Sequence, residues 1–281
     1  MDYIDLHTHS NCSDGSMTPT ELVAHAAERG LKAIALSDHD TVSGIDEAIA
    51  AGKIYGVEVV PAIEFSVQSA TETHILGFYI DHKSPIIKKA LERINKVRWE
   101  RTVNTCENLR ALGFDVTMDE ALAIAPSGLI GRAHFARILM EKGYTESVKE
   151  GFDKYLANGR PAYDGTQALT AAEAVELINS LGGVSFVAHP HLIRLDDASL
   201  RRFLVELKSV GLCGIEGYYN EYTAEMQDYF QTLAKDLGLE ICGGTDYHAK
   251  MKPHIEIGIG QGDMKIPYTV LENIKNIVNN K

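Results

Sequence analysis

The chain has 281 residues, 45% of them hydrophobic, enough to bury the core of one large α/β domain or of one domain carrying an insertion. Its 27 Lys and Arg against 39 Asp and Glu give a formal charge of -12, which excludes a general binder of duplex nucleic acid or anionic membrane working through bulk charge. The opening MDYIDLHTHS has no basic segment followed by an apolar one, no run approaches the roughly 18 apolar residues of a membrane span, and the four cysteines show no C-x-x-C spacing, so a cytoplasmic location with reduced thiols is expected.

Strands are predicted at Tyr3 to Leu6, Ala33 to Ser37, Glu58 to Ala62 and Thr73 to Tyr79, where short apolar runs alternate with amphipathic stretches. Between the first two, Thr18-Pro19-Thr20-Glu21 predicts a helix start: Thr18 as N-cap, Pro19 in the first turn, Glu21 completing a capping box, with Gly30 closing the helix. From Asp81 to Asp164 the strand signal nearly vanishes and helices are predicted over Ile87 to Leu112, Arg132 to Lys142 and Ser147 to Ala157. The alternation then returns, with strands at Gly183 to Ala188, Gly214 to Gly217, Glu240 to Gly244 and Ile255 to Ile259, separated by helices near Ala171 to Leu181, Ser199 to Val210 and Ala224 to Leu237. The chain thus reads as β/α segments 1–80 and 165–281 flanking a helical insertion, 81–164. That insertion holds 14 Lys and Arg against 12 Asp and Glu, which makes it the less repulsive surface for an anion.

Residues able to hold a metal recur at the predicted strand ends. His7 and His9, two apart in DLHTH, stand on one face of a strand about 6 to 7 Å apart, with Asp14 just beyond. His39 follows the second strand, Glu64 the third, and His74 lies on the fourth; VAHPH supplies His189 and His191, and GGTDYH supplies Asp246 and His248. Singly, each has a plainer role: His74 as a core histidine, Glu64 as a helix cap, Asp14 and Asp246 as turn residues, His189 as a loop residue. Together they are harder to dismiss, because seven of the 11 histidines fall at these strand ends, where the mouth of a parallel β/α barrel lies. His7, His9, Asp14, His39, Glu64, His74, His189, Asp246 and His248 suffice for two or three divalent ions with open positions, and mixed imidazole and carboxylate donors suit Mn, Fe or Zn better than Mg or Ca.

These motifs, DLHTHSNCSDG, SDHDTVSG, HILGFY, AHPH and GTDYH, resemble those of the PHP (polymerase and histidinol phosphatase) superfamily of metal-dependent phosphoesterases. RWERT and GRAHFARIL in the insertion further resemble the branch of nucleoside 3',5'-bisphosphate phosphatases and 5'-3' exoribonucleases. The resemblance implies a distorted (β/α)7 TIM-like barrel with a helical insertion domain. It implies one metal on His7, His9, Glu64 and Asp246, a second on Glu64, His74 and His189, and a third on Asp14, His39 and His248, with Mn the expected ion. Metal-activated water would hydrolyse a phosphomonoester of a pAp-like nucleotide or of the 5' end of short RNA, with His39, Glu64 and His248 catalytic and Asp40 orienting His39. Arg98 and Arg101 share a helix face, and with Arg132 and His134 they would clamp a second phosphate, while Trp99 is expected to pack against the barrel. After Pro190, where relatives often carry Gly and Arg, this chain has His191, a guess for the general acid, and Arg194 three residues later. Alternatives are a histidinol-phosphate or other small monoester phosphatase, a C–N hydrolase of amidohydrolase type, for which no suitably placed lysine is visible, and a non-enzymatic metal-binding scaffold.

Overall fold

A computed structural model describes residues 2–69, 71–125 and 130–281. Strands β1 (Tyr3–Thr8), β2 (Ala33–Leu36), β3 (Glu58–Ser66), β4 (His74–Phe78), β5 (Val184–Val187), β6 (Gly214–Tyr219), β7 (Glu240–Gly244) and β8 (Ile266–Pro267) form one sheet in the order β7-β6-β5-β4-β3-β2-β1-β8. Every residue of β2 and β5 is buried, as expected of strands covered on both faces. The sheet closes where the chain beyond β7 meets β1: the His9 amide donates to the Tyr247 carbonyl, and the Tyr247 amide to that of His7. Gly244 is required at this seam, since a Cβ there would lie 2.2 Å from the Cβ of His7.

Helices α1 (Pro19–Glu28), α2 (Ile45–Tyr55), α3 (Pro85–Ala111), α4 (Met118–Ile124), α5 (Arg132–Glu141), α6 (Val148–Gly151), α7 (Ala171–Ser180), α8 (Asp197–Ser209), α9 (Ala224–Asp236) and α10 (Thr269–Asn279) complete the chain. Thr18 caps α1 with Glu21 as its reciprocal partner, as the sequence predicts. Alternate strand residues such as Leu6, Val60, Ala62, Phe78 and Phe186 gather with Ile266 and the apolar side of α10 into one core, and Glu64 continues the Val60, Ala62 row. A second core, with Cys106, Leu109, Phe135, Leu139 and Leu156, lies among α3, α5 and the turn after α6. Among the described residues no helix is long and apolar enough to cross a membrane.

Three expectations change. β4 runs antiparallel to both β3 and β5, because residues 67–73 are too few for the crossover that a parallel pair needs. His74 therefore opens its strand instead of ending it, and still reaches the mouth. The strand expected at Ile255 to Ile259 is a turn, pinched between Glu256 and Gly260, with Gly258 at φ 76 and its amide bonded to the buried Asp5 carboxylate. The helix expected from Ser147 to Ala157 is α6 followed by a single wider, π-type turn over Phe152–Leu156. Helices α2, α4 and α10 were not anticipated; α2 ends in the left-handed Gly56.

Candidate metal centre

The pairing of β1 with β2 slips by one residue between Asp5 and Thr8, a β-bulge that changes which way the end of the strand aims its side chains. His7 and His9 emerge there with ring centroids 5.1 Å apart. His7 Nδ1 lies 2.9 Å from Glu216 Oε1, so it carries the proton and leaves the Nε2 lone pair facing inward, 3.2 Å from Glu64 Oε2 and 3.5 Å from Asp246 Oδ1. His9 Nε2 sits 3.2 Å from Asp246 Oδ1 and 3.3 Å from Glu64 Oε2.

Glu64 is the hub. Its Oε1 lies 2.9 Å from His74 Nδ1 and 3.1 Å from His189 Nε2, and its Oε2 lies 3.1 Å from His39 Nδ1. On the other flank, Asp14 Oδ1 is 3.2 Å from His248 Nε2, whose ring is turned by an Nδ1 bond to the Asp246 carbonyl. Asp246 divides its oxygens: Oδ2 accepts from Tyr219 and from Lys252, and Oδ1 faces the histidines. Donor atoms of His7, His9, Glu64 and Asp246, of His9, Asp14, His39 and His248, and of His39, Glu64 and His74 each fall within 4.8 Å of one another.

This donor set fits divalent cations. His7 Nε2, both ring nitrogens of His9, His39 Nδ1 and Glu64 Oε2 are buried without a hydrogen-bond partner, although several stand close together. Buried polar atoms so placed cost about 1–3 kcal/mol each unless something satisfies them, and lone pairs converging without hydrogen-bond alignment are what a shared cation satisfies. The electrostatics agree. Burial works against charge on Asp14, Glu64 and Asp246, yet His248 and His39 beside Asp14, His39 and His7 beside Glu64, and Lys252 and His248 beside Asp246 hold all three carboxyls well below their usual range. Burial likewise works against protonated His9, but the adjoining Asp246 and Glu64 carboxylates carry its pKa up to about 9. His39 goes the other way, driven down by burial. His189 and Asp246 also hold left-handed backbone, at φ 28 and φ 53, a strain that functional sites tolerate.

Seven of the nine expected ligands, all but His7 and His9, line a cavity of about 630 Å³ that Arg98, Arg101, Arg132 and Arg137 also line. The PHP domain family model matches residues 5–243. The chain belongs to the PHP domain family. A 5'-3' exoribonuclease of Haemophilus influenzae is 33% identical over 87% of this chain and 89% of its own, and a 3',5'-nucleoside bisphosphate phosphatase of Chromobacterium violaceum is 33% identical over 91% and 90%. The structure of an amidohydrolase from Chromobacterium violaceum, with sulfate bound and no metal, superposes with a TM-score of 0.89 at 31% identity, covering 98% of this chain and 96% of that one.

Several PHP side chains sit elsewhere than the sequence suggests. Asp40 does not orient His39: its carboxylate accepts from Arg98 Nη1 and the Ser66 amide, so it anchors the guanidinium wall. Arg101 lies beside Arg98, and burial together with that like charge pushes its guanidinium down to about 10. His134 is buried and accepts the Gly131 amide at Nδ1, capping α5 without lining the cavity. His191 also stays out of the cavity, between Tyr219 and Tyr222 with Nε2 3.2 Å from Glu221, and Arg194 lines a neighbouring cavity. Trp99, expected to pack against the barrel, is 45% exposed.

Sequence reasoning missed four contributors. Glu216 is fully buried on β6 and accepts both His7 Nδ1–H and the His189 amide; a lone Glu inside GIEGYY was its signal. Asp38 braces the β1 end through Ser10 and Ser13, and Asp5 ties β1 to Thr245 and Gly258. Lys252, six residues past Asp246, reaches into the cavity. Burial disfavours its charge, but Asp246, Asp14 and Glu64 raise its pKa.

Proposed function

We propose that this PHP protein hydrolyses a phosphomonoester of a nucleoside 3',5'-bisphosphate or of the 5' end of short RNA. The chain is a metal-dependent phosphoesterase; the nucleotide substrate is our reading, supported by relatives named for those two substrate classes. The observation that carries it is the cavity itself, lined by seven of the nine proposed metal ligands and by the four guanidiniums of Arg98, Arg101, Arg132 and Arg137. His7, His9, Glu64 and Asp246, then Glu64, His74 and His189, then Asp14, His39 and His248 would hold up to three ions, Mn in our reading. When bound, such ions lower the pKa of water toward about 7 and neutralise phosphoryl oxygens.

The protein's own contribution is placement. Arg98, fixed by Asp40, and Arg101 and Arg132 beside it present forked donors to a second phosphate in the cavity that the donor cluster also lines. Glu216 and the Asp246 carbonyl fix the tautomers of His7 and His248, so that both rings aim a lone pair inward. The insertion, residues 81–164, acts in this reading as the recognition segment. A phosphate-release screen over pAp, histidinol phosphate and 5'-phosphorylated short RNAs with Mn present tests it: pAp or RNA should exceed histidinol phosphate, and a preference for the latter that Arg101→Ala leaves untouched would refute it. Glu64→Gln should abolish both bound metal and turnover.

A further inference from the structure

Beside the metal cavity lies a second one of about 430 Å³, within the size range of ligand pockets, about 300–1,000 Å³. Glu72, His74, Arg132, Phe152 and Gln167 line both, so the two share a threshold next to the proposed metal ligand His74. Arg132 is held there by two rings, its guanidinium 5.0 Å from the centroid of Phe152 and 5.4 Å from that of Tyr163. Tyr163 owes its position to Gly165, where a Cβ would lie 2.5 Å from the Tyr163 hydroxyl.

Beyond the threshold the second cavity presents Arg160 and Arg194, whose guanidiniums make no hydrogen bond or ion pair with another described residue, against the carboxylates of Glu72 and Asp153. Arg194 takes a left-handed backbone, φ 54, an uncommon conformation for a non-glycine residue. Uncommitted forked cations, aromatic faces and neutral polar groups such as Ser69, Thr71 and Gln167, running on from a phosphate-hydrolysing site, form a track for a polyanion whose repeating unit is a phosphate and a flat base.

We infer that the second cavity receives the nucleotide that follows the one whose 5'-phosphate is hydrolysed, so that of the two substrate classes proposed above the 5'-phosphorylated oligonucleotide is preferred over the free bisphosphate. Arg160 and Arg194 take the internucleotide phosphates, and Tyr163 and Phe152 offer faces to the base. The inference rests on the proposed phosphoesterase reading of the metal centre.

The test compares pAp with a 5'-phosphorylated trinucleotide as substrates of the Mn-loaded protein, wild type against Arg160→Glu and Arg160→Lys. The expected result is a trinucleotide-to-pAp ratio of kcat/KM that falls at least fivefold in Arg160→Glu and recovers most of the way in Arg160→Lys. A ratio unchanged by charge reversal overturns the inference. Equilibrium binding of the same two ligands to protein without added metal gives a second readout: the trinucleotide should bind wild type at least fivefold more tightly than pAp, with a steeper salt dependence. Equal affinity for the two overturns the subsite even where turnover is normal. Absence of turnover on both substrates with binding intact refutes the phosphoesterase reading and leaves the binding result to decide the subsite.

Discussion

Replacing Glu216 by Gln should weaken metal binding without touching any proposed ligand. Glu216 is fully buried and accepts two bonds, His7 Nδ1–H at 2.9 Å and the His189 amide. A carboxylate accepts both, whereas a carboxamide of the same shape has one acceptor and one donor, so one N–H is left facing an N–H. A buried donor so stranded costs about 1–3 kcal/mol. If His7 relieves the conflict by moving its proton to Nε2, the lone pair now aimed at Glu64 and Asp246 is lost; if the His189 amide is stranded instead, the strained turn that positions its ring loosens. Either route converts to a Kd for Mn weaker by about 10–100-fold, the range typical of residues that orient a metal-ligating histidine. Because Glu216 does not line the cavity, kcat at saturating metal should stay within about threefold of wild type. Titration calorimetry with Mn and steady-state kinetics at several Mn concentrations separate the two quantities. Unchanged Mn affinity would refute the reasoning, as would a large loss of kcat at saturating metal with affinity intact.

Arg98→Ala should destabilise the fold by about 3–5 kcal/mol in urea titrations, because it strands the buried Asp40 carboxylate; Arg101→Ala should change stability by no more than about 0.5 kcal/mol while raising KM for pAp about tenfold. Lys252→Met removes the cation from Asp246 Oδ2, so Mn affinity should rise while kcat/KM falls, a split visible by titration and initial rates. Glu58 anchors Tyr268 and Lys275 at α10; half-buried, it pays desolvation, but Lys275 and Tyr268 hold its carboxyl below the usual 4.5. Its stabilisation is therefore complete above pH 4.5 and lost as pH falls through the lower folded value. Glu58→Gln should lower stability by about 1 kcal/mol at pH 7, and the gap from wild type should close in acid, as thermal melts across pH will show.

Much of the site was legible because its chemistry is carried by residue types that strand ends seldom collect by chance. His7, His9, Glu64 and Asp246 each abut an apolar run, and periodicity placed those runs on the observed strands, although β3 runs four residues past its expected end and so takes Glu64 into the strand. What stayed hidden was decided by tertiary geometry. The reversal of β4 follows from a short link whose consequence shows only once β3 and β5 flank it. Asp40 and Asp38 are adjacent to His39, and nothing in SDHD says that one carboxylate reaches α3 while the other reaches back to Ser10. Lys252 and Glu216 matter through partners 6 and 209 residues away, beyond any local pattern. Gly258 broke a run of isoleucines that reads as a strand, because a close approach to Asp5 required a backbone that isoleucine cannot take.

Because β4 points away from the mouth, the chain leaves it on the wrong side for ligand binding, and α3, about 40 Å long, has to carry it back. One rod therefore roots its first turns, at Ile87 and Ile94, in the wall of the barrel, and buries its far end, at Cys106 and Leu109, in the helical core. Arg98 and Arg101 ride between these two anchorages. Selectivity can then drift through small changes of tilt or side chain along this single strut while the proposed metal-ligating histidines stay where they are, which separates the evolution of what is recognised from the evolution of how it is cut.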